Sequence, residues 1–410
     1  MKRIAIIGGG ASGLMAACLA KREDNEVVIF EKEKIIGRKI LATGNGRCNI
    51  SNKKISLKNY NLPDENFLKI IFNQFNLDKT IGFFKDLGIL FSEGKEGKLY
   101  PSSWQAETIP KLFTYRLKRK KIKVKLETSI EKVELINKKF KLKAKNFKED
   151  FFDSLILSTG SLAHPQLGGS NGGYSLASSL GHRITDLRPA LLPINIPLKV
   201  IHRLQGLRWS CSLKVKVNKN VVERKEGELL FTAYGLSGPV TLDISRAVNQ
   251  LLAEKKSPEI IVDFFPQESE EDLLKKFSVL WKDKEKKVSF SLFGILPERI
   301  VQVLFFMLGI DLNLKIKDLS SEGKYRIVKI FKNLSLKPGK ERGFREAVVV
   351  AGGVDLKEVN PYRMESKKNP NLHFTGEILD VDGQSGGYNL QFAWSTGAIA
   401  GLAQHSKTSS

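Results

Sequence analysis

Residues 4–7 form a short apolar run with no polar member, the pattern of a central parallel strand buried on both faces. An alanine-rich stretch after it predicts a helix, and a second apolar run at 27–30 predicts another strand, so the opening reads as a βαβ unit. Residues 37–51 follow neither period. Helical patterns cover 65–87 and 105–121. Three β-like runs come next, at 130–135, 140–144 and 151–158, the last ending in Thr159-Gly160. Residues 168–182 read as a glycine loop leading into a helix. A βαβ unit, a helix, a three-strand meander and a returning strand predict an α/β fold around a parallel sheet.

Pro189, Pro193 and Pro197 punctuate a change of composition, which predicts a domain boundary at residue 190. From 190 to 267 the pattern alternates, clearest at 213–217, 229–232 and 259–265, and predicts a small β part. From 268 to 336 it turns helical with charged outer faces, Pro297 standing at a helix start and 303–310 reading as a buried helix segment. The α/β style returns at 337. There, 344–354 predicts a strand with a glycine turn, 371–383 a strand running into an acidic loop, and 386–401 a helix. In that helix Ala393, Ser395, Gly397, Ala398 and Gly401 permit close packing. The expected organisation is one α/β domain (1–189 and 337–410) interrupted by an inserted domain (190–336). The closing HSKTSS reads as a frayed tail.

Composition narrows the class. With 410 residues, 41% hydrophobic and 27% charged, the chain reads as a soluble protein of two or three domains. No apolar run approaches the ~20 residues of a membrane span, and the first run stops at Gly8, too soon for a signal core. Cys18, Cys48 and Cys211 are widely spaced and the five histidines are scattered. A reducing cytoplasm, no disulfide and no metal site are expected. The net charge of +23 raises the question of nucleic acid. The densest cluster, 116–125, reads as a helix end running into a strand, and the remaining lysines are spread evenly, so no specific nucleic-acid partner is expected.

The candidate chemistry lies in the first βαβ unit. Gly8, Gly10 and Gly13 stand in GxGxxG spacing, a pattern that arises by chance roughly 0.2 times in a chain with 34 Gly in 410 residues. Its setting carries the weight: strand before, helix after, and a second strand ending at Glu31. Gly8 allows a tight turn, Gly10 lets a backbone approach a pyrophosphate, and Gly13 lets helix pack on strand. Glu31 can accept hydrogen bonds from both hydroxyls of an adenosine ribose, which favours FAD or NAD over NADP. The plainer reading is a tight turn in an ordinary βαβ unit. In the 37–51 loop, Gly44 and Gly46 flanked by Arg38, Lys39 and Arg47 suit a backbone wrapping an anionic cofactor.

Four stretches carry a family resemblance: GRKILATGNGRCN, TAYGLSGPVTLDIS, AGGV followed by MESK, and FTGEILDVDGQSGGYNLQFAWSTGAIAG. In this order, and over essentially the whole chain, the sequence resembles the BaiN/YhiN-type flavoproteins, two-dinucleotide-fold NAD(P)/FAD-dependent oxidoreductases of unassigned substrate. The resemblance implies a Rossmann-like FAD domain of glutathione-reductase type, interrupted by a β-barrel-like insert with a helical subdomain. It implies that Gly8, Gly10, Ala11, Ser12, Gly13, Glu31 and Lys32 hold the ADP half of a non-covalent FAD. It places Gly37, Arg38, Lys39, Thr43, Gly46, Arg47 and Cys48 along the pyrophosphate and flavin. Ser129 and Ile130 would meet the adenine, and Thr159 and Gly160 would close over the cofactor. Gly376, Glu377 and Asp380 would lie near the ribityl chain, with Gly387, Tyr388 and Asn389 at a helix N-terminus facing the flavin. The chain departs from the family at Ser161 (commonly glycine), Gly172 (often aspartate) and Arg363 (often threonine).

The expected function is hydride transfer between flavin N5 and a small-molecule substrate. No second GxGxxG is seen, so NAD(P)H is expected as a transient donor or acceptor in the substrate's own cleft, between the FAD domain and the insert. Tyr234 and Ser237 of TAYGLSGPV are candidate substrate contacts. The alternatives are a flavoprotein acting on RNA and an FAD-binding protein without turnover. Cys48 reads as a small packed residue, His164 as a turn residue before Pro165 and His373 as a core histidine. No catalytic acid or base is assigned, and oligomeric state is not encoded in any motif.

Overall fold

The structure is a computed structural model and describes residues 1–405. The rest of the expected tail, 406–410, lies outside the described residues. His405, its first residue, hydrogen-bonds the Ala20 carbonyl at 3.1 Å. The chain divides into two compact units, residues 1–190 with those from 347 onward, and residues 191–346, each with its own hydrophobic core.

The first unit is built on a seven-stranded sheet. Its centre is β1 (Lys2–Ile7), paired in parallel with β2 (Asn25–Phe30) on one side and with the strand Ser154–Leu157 on the other. Leu372–Phe374 extends the parallel set beyond Ser154–Leu157, and Lys123–Lys125 extends it beyond β2. Ile7 is in register with Phe30 and with Leu157, so the carboxyl ends of the three central strands finish level. Ile4 to Ile7 are buried, as a strand covered on both faces requires.

Two helices carry few polar side chains and have almost no wet face. In α1 (Ala11–Ala20), eight of the ten residues are buried. In the C-terminal helix (Tyr388–Ala403), thirteen of sixteen are. The two pack on each other through glycines. A Cβ on Gly397 would overlap the Ser12 carbonyl oxygen, and one on Gly401 would lie 2.6 Å from that of Ala16.

Several expected elements are redrawn. The helical pattern at 65–87 is two helices, Glu65–Gln74 and Leu77–Asp86, because the Asn76 side chain accepts from Lys79 N and caps a new start. The run at 151–158 is shared by two strands: Phe147–Phe152 completes the antiparallel meander, and Ser154–Leu157 returns to the main sheet. The strand read at 344–354 is only Val349–Ala351, paired with Arg188–Ala190.

The second unit holds a six-stranded antiparallel sheet with Ile194–Asn195 at one edge and Leu334–Leu336 at the other. Helix Pro239–Ala253 packs on it, and helices Glu270–Leu280, Glu298–Leu308 and Ser321–Lys332 follow. Residues 337–346 belong here and not, as their position after the helices suggests, with the first unit. Gly339 N donates to Asn195 O at 2.8 Å, and the Arg342 guanidinium lies 3.8 Å from the Tyr234 ring centre.

Candidate functional site

The carboxyl ends of β1, β2 and Ser154–Leu157 open onto a cavity inside the first unit, at the level where ligands bind open α/β sheets. The glycine turn shapes its floor. Gly8 has φ +106, and a Cβ there would overlap the Ser158 carbonyl; a Cβ on Gly13 would overlap the Gly8 carbonyl. Gly10 differs, since a Cβ there would meet no atom within 4 Å: the space it faces is the cavity. Gly10 is also the N-cap of α1, with no side-chain cap and no acid in the first turn. The first-turn N–H groups and the positive end of the helix therefore face the cavity without an internal partner.

Glu31 ends the second strand run and is 9% exposed. Its Oε2 accepts from Gly9 N at 2.7 Å and its Oε1 from Glu33 N at 2.9 Å. Burial raises its pKa above the ordinary carboxylate value, while the two backbone bonds pull the other way. A carboxylate has about four lone-pair sites, so acceptor capacity toward the cavity remains. Lys32 donates to Ser170 Oγ at 2.8 Å and fixes the glycine loop that follows Leu167 against the same wall. Burial lowers the Lys32 pKa.

The far wall is set by Glu377. Its Oε2 pairs with Lys39 Nζ at 2.7 Å and accepts from Ser161 Oγ at 3.1 Å. The serine that departs from the family's glycine thus holds a carboxylate of the cavity wall. Arg38 pairs with Glu33 and donates to Gln166 O. Asn389 is held by Gly383, donating to its carbonyl at 2.8 Å and accepting from its N–H at 2.7 Å.

Of the residues picked out in the sequence, the cavity brings together Gly8, Gly10, Ala11, Ser12, Glu31, Lys32, Gly37, Arg38, Lys39, Thr43, Ser129, Ile130, Thr159, Gly160, Glu377 and Asn389. Gly13 and Gly376 lie beneath it as packing positions. Gly46, Arg47, Cys48, Asp380, Gly387 and Tyr388 are not in its wall. Arg47 lies beside the stacked Tyr100 and Trp104, Asp380 accepts from Thr185 Oγ1, and the Tyr388 carbonyl accepts from Tyr60 OH. Cys48 is buried, and burial pushes its thiol up to about 12, so it packs and does not react. His373 is a core histidine, its Nδ1 3.0 Å from the Arg363 carbonyl. Tyr234 and Ser237 belong to the second unit.

The sequence does not single out Glu33, Thr128, Ser158, the 168–173 loop, Val348 or Val349, yet all of these, Asn171 of the loop excepted, line the cavity. The loop's glycines were a visible signal. The valines carried none: Val349 is paired with Ala190, far off in sequence, and Val348 only precedes it.

Two observations test the fit of a dinucleotide: the open space before Gly10 and the bare helix terminus. The first gives a backbone room to approach a ligand, the second calls for an anionic group, and the donor set fits a pyrophosphate.

A family model described as the HI0933-like protein Rossmann domain matches residues 2–403. The chain is 36% identical over 406 residues to a 3-dehydro-bile acid delta(4,6)-reductase of Clostridium scindens, covering 98% of this chain and 99% of that protein. It is 29% identical over 403 residues to a ribosomal RNA dihydrouridine synthase of Haemophilus influenzae, covering 97% of each. The solved 3-ketosteroid delta1-dehydrogenase of Sterolibacterium denitrificans superposes with a TM-score of 0.52 over 98% of this chain and 100% of that one, at 11% identity, which is a likeness of fold alone.

Proposed function

The chain belongs to the HI0933-like Rossmann family, and from that premise we propose that it is an FAD-dependent oxidoreductase acting on a small molecule. The observation that carries the reading is the pairing of Gly10, which faces open space at a bare helix N-terminus, with buried Glu31 beside it in the same cavity. α1 would receive the pyrophosphate through its first-turn N–H groups. Glu31 would accept from the adenosine ribose, and Ser129 and Ile130 would flank the adenine. Lys39, Thr43, Glu377 and Asn389 would orient the flavin half. When bound, FAD supplies hydride exchange with the substrate at N5. The chain's part is to hold the cofactor, to keep water from its ring, and to favour negative charge near the helix N-terminus at Asn389.

The reductase of Clostridium scindens, alike over nearly the full length of both chains, supports reduction as the direction. With one GxGxxG turn already used by the FAD reading, NAD(P)H would bind transiently and not in a domain of its own. Among the described residues no helix is long and apolar enough to cross a membrane. Anaerobic titration of the yellow holoprotein with NADH and NADPH tests the reading: bleaching of the flavin band supports it. A flavin that dithionite reduces but no nicotinamide nucleotide or candidate metabolite does would favour binding without turnover.

A second reading, a flavoprotein acting on RNA, rests on the 29% identical dihydrouridine synthase and the charge of +23. Incubating the reduced holoprotein with ribosomal RNA and assaying for dihydrouridine separates the two.

A further inference from the structure

Beside the cavity stands an aromatic pair that the FAD reading does not use. Tyr100 and Trp104 stack with ring centres 4.7 Å apart and planes 24° from parallel. The Arg47 guanidinium lies 5.4 Å from the Tyr100 ring centre and 5.8 Å from that of Trp104, beside the stack and within cation–π reach of both. Tyr100 is buried, but Trp104 is 38% exposed. One face of the indole is covered by Tyr100. Arg47 is exposed, and no carboxylate pairs with it among the described residues.

The backbone holds this arrangement against its own preference. Trp104 has φ +54, a left-handed conformation in which a bulky side chain is a true outlier. Asn45 and Cys48, on either side of Arg47, are also left-handed at φ +57. Ala106 N donates to Gly46 O at 2.8 Å and ties the two loops together, and Cys48 N donates to Thr43 O at 3.0 Å. Thr43 lines the cavity. Two strained loops thus present a part-exposed indole and a guanidinium that donates to Gly44 O but pairs with no carboxylate among the described residues, next to the proposed flavin site, and strain of this kind gathers at ligand sites.

We propose that Trp104, Tyr100 and Arg47 form the docking platform for the nicotinamide dinucleotide: one of its planar rings stacks on the part-exposed indole of Trp104 and Arg47 pairs with a phosphate. The inference rests on the transient NAD(P)H reading above and gives it a place. Aromatic faces accept any planar base, which suits a ligand that must arrive and leave and has no glycine-turn fold of its own. A guanidinium supplies the phosphate contact.

The test uses the FAD-loaded full chain and four proteins: wild type, Trp104→Ala, Trp104→Phe and Arg47→Gln. Flavin content and dithionite reduction are measured first, then the NADPH dependence of flavin reduction under anaerobic conditions. The proposal expects Trp104→Ala to raise the half-saturating NADPH concentration about tenfold. Trp104→Phe should restore most of the loss, Arg47→Gln should blunt the salt dependence, and dithionite reduction should be unchanged. Saturable reduction of the wild type with no change in Trp104→Ala would overturn the platform and leave the NAD(P)H reading standing. No reduction of the wild type by NADPH or NADH would overturn both. Loss of FAD from Trp104→Ala or Arg47→Gln would assign the ring face to the flavin instead. Trp104-dependent binding of oligouridylate without NADPH binding would assign it to RNA; each of these last two overturns the proposal.

Discussion

Gly9 donates its backbone N–H to Glu31 Oε2 at 2.7 Å, so one carboxylate holds the glycine turn after β1 to the end of β2. Glu31 is therefore both a brace of the turn and the proposed ribose ligand. Glu31→Arg should lower FAD affinity by roughly 2–4 kcal/mol, the loss of one to two charged hydrogen bonds. Titration of the apoprotein measures it, and unchanged affinity would remove Glu31 from the ribose.

The raised pKa of Glu31 gives a pH signature. Folding favours its protonated form, so Glu31 lends the apoprotein stability at low pH that is lost as pH rises from 4.5 through its folded value. Ribose hydroxyls donate to the anion, so FAD should bind more tightly as pH rises through the same window. Glu31→Gln keeps an acceptor for Gly9 but cannot ionise, and should flatten both dependences. The check is melting temperature and FAD affinity against pH, wild type against variant; a pH dependence of affinity that survives in Glu31→Gln would assign it to another group.

Two glycines of one motif should respond oppositely to a methyl group. Gly13→Ala drives a Cβ into the Gly8 carbonyl, an overpacking that costs typically 1–3 kcal/mol and lowers the melting temperature with or without cofactor. Gly10→Ala meets open space, so the apoprotein should melt as the wild type does while FAD binding weakens. A Gly10→Ala protein that binds FAD normally would show that the cofactor does not approach this turn.

The flavin should be non-covalent. The cysteine nearest the cavity in sequence, Cys48, is buried with its thiol pushed up to about 12, which leaves no thiolate for attachment. Acid precipitation should release FAD into the supernatant. Flavin retained in the pellet, or FMN in the supernatant, would contradict the reading.

If donor and substrate take turns at one flavin, steady-state kinetics should be ping-pong, with parallel lines in double-reciprocal plots. Intersecting lines would mean that both ligands sit on the enzyme at once.

The part of the fold legible in the sequence was the part written in local pattern. The run at 4–7, the glycine spacing and Glu31 are fixed by neighbours in the chain, and the structure has them where a strand, a turn and a strand end would stand. The break at Asn76 was hidden because two amphipathic helices meeting at a cap preserve a helical period across it. Val349 lines the cavity while paired with Ala190, a separation that no window spans. Charge and the family resemblance both place Arg47 with the cofactor loop, but the residue stands outside the cavity wall. Neither shows the left-handed backbone at Asn45 and Cys48 that turns it toward Tyr100 and Trp104.

The pairing of α1 with the C-terminal helix bears on how the chain is made. α1 is synthesised long before its partner helix: Ser12 and Ala16 wait for Gly397 and Gly401, nearly four hundred positions later. Residues 191–346 are all synthesised before that and have a core of their own, so they are free to fold first. A nascent or truncated chain that stops short of residue 388 leaves the small-residue side of α1 uncovered, and such a product is a substrate for chaperones and proteases, not a smaller enzyme.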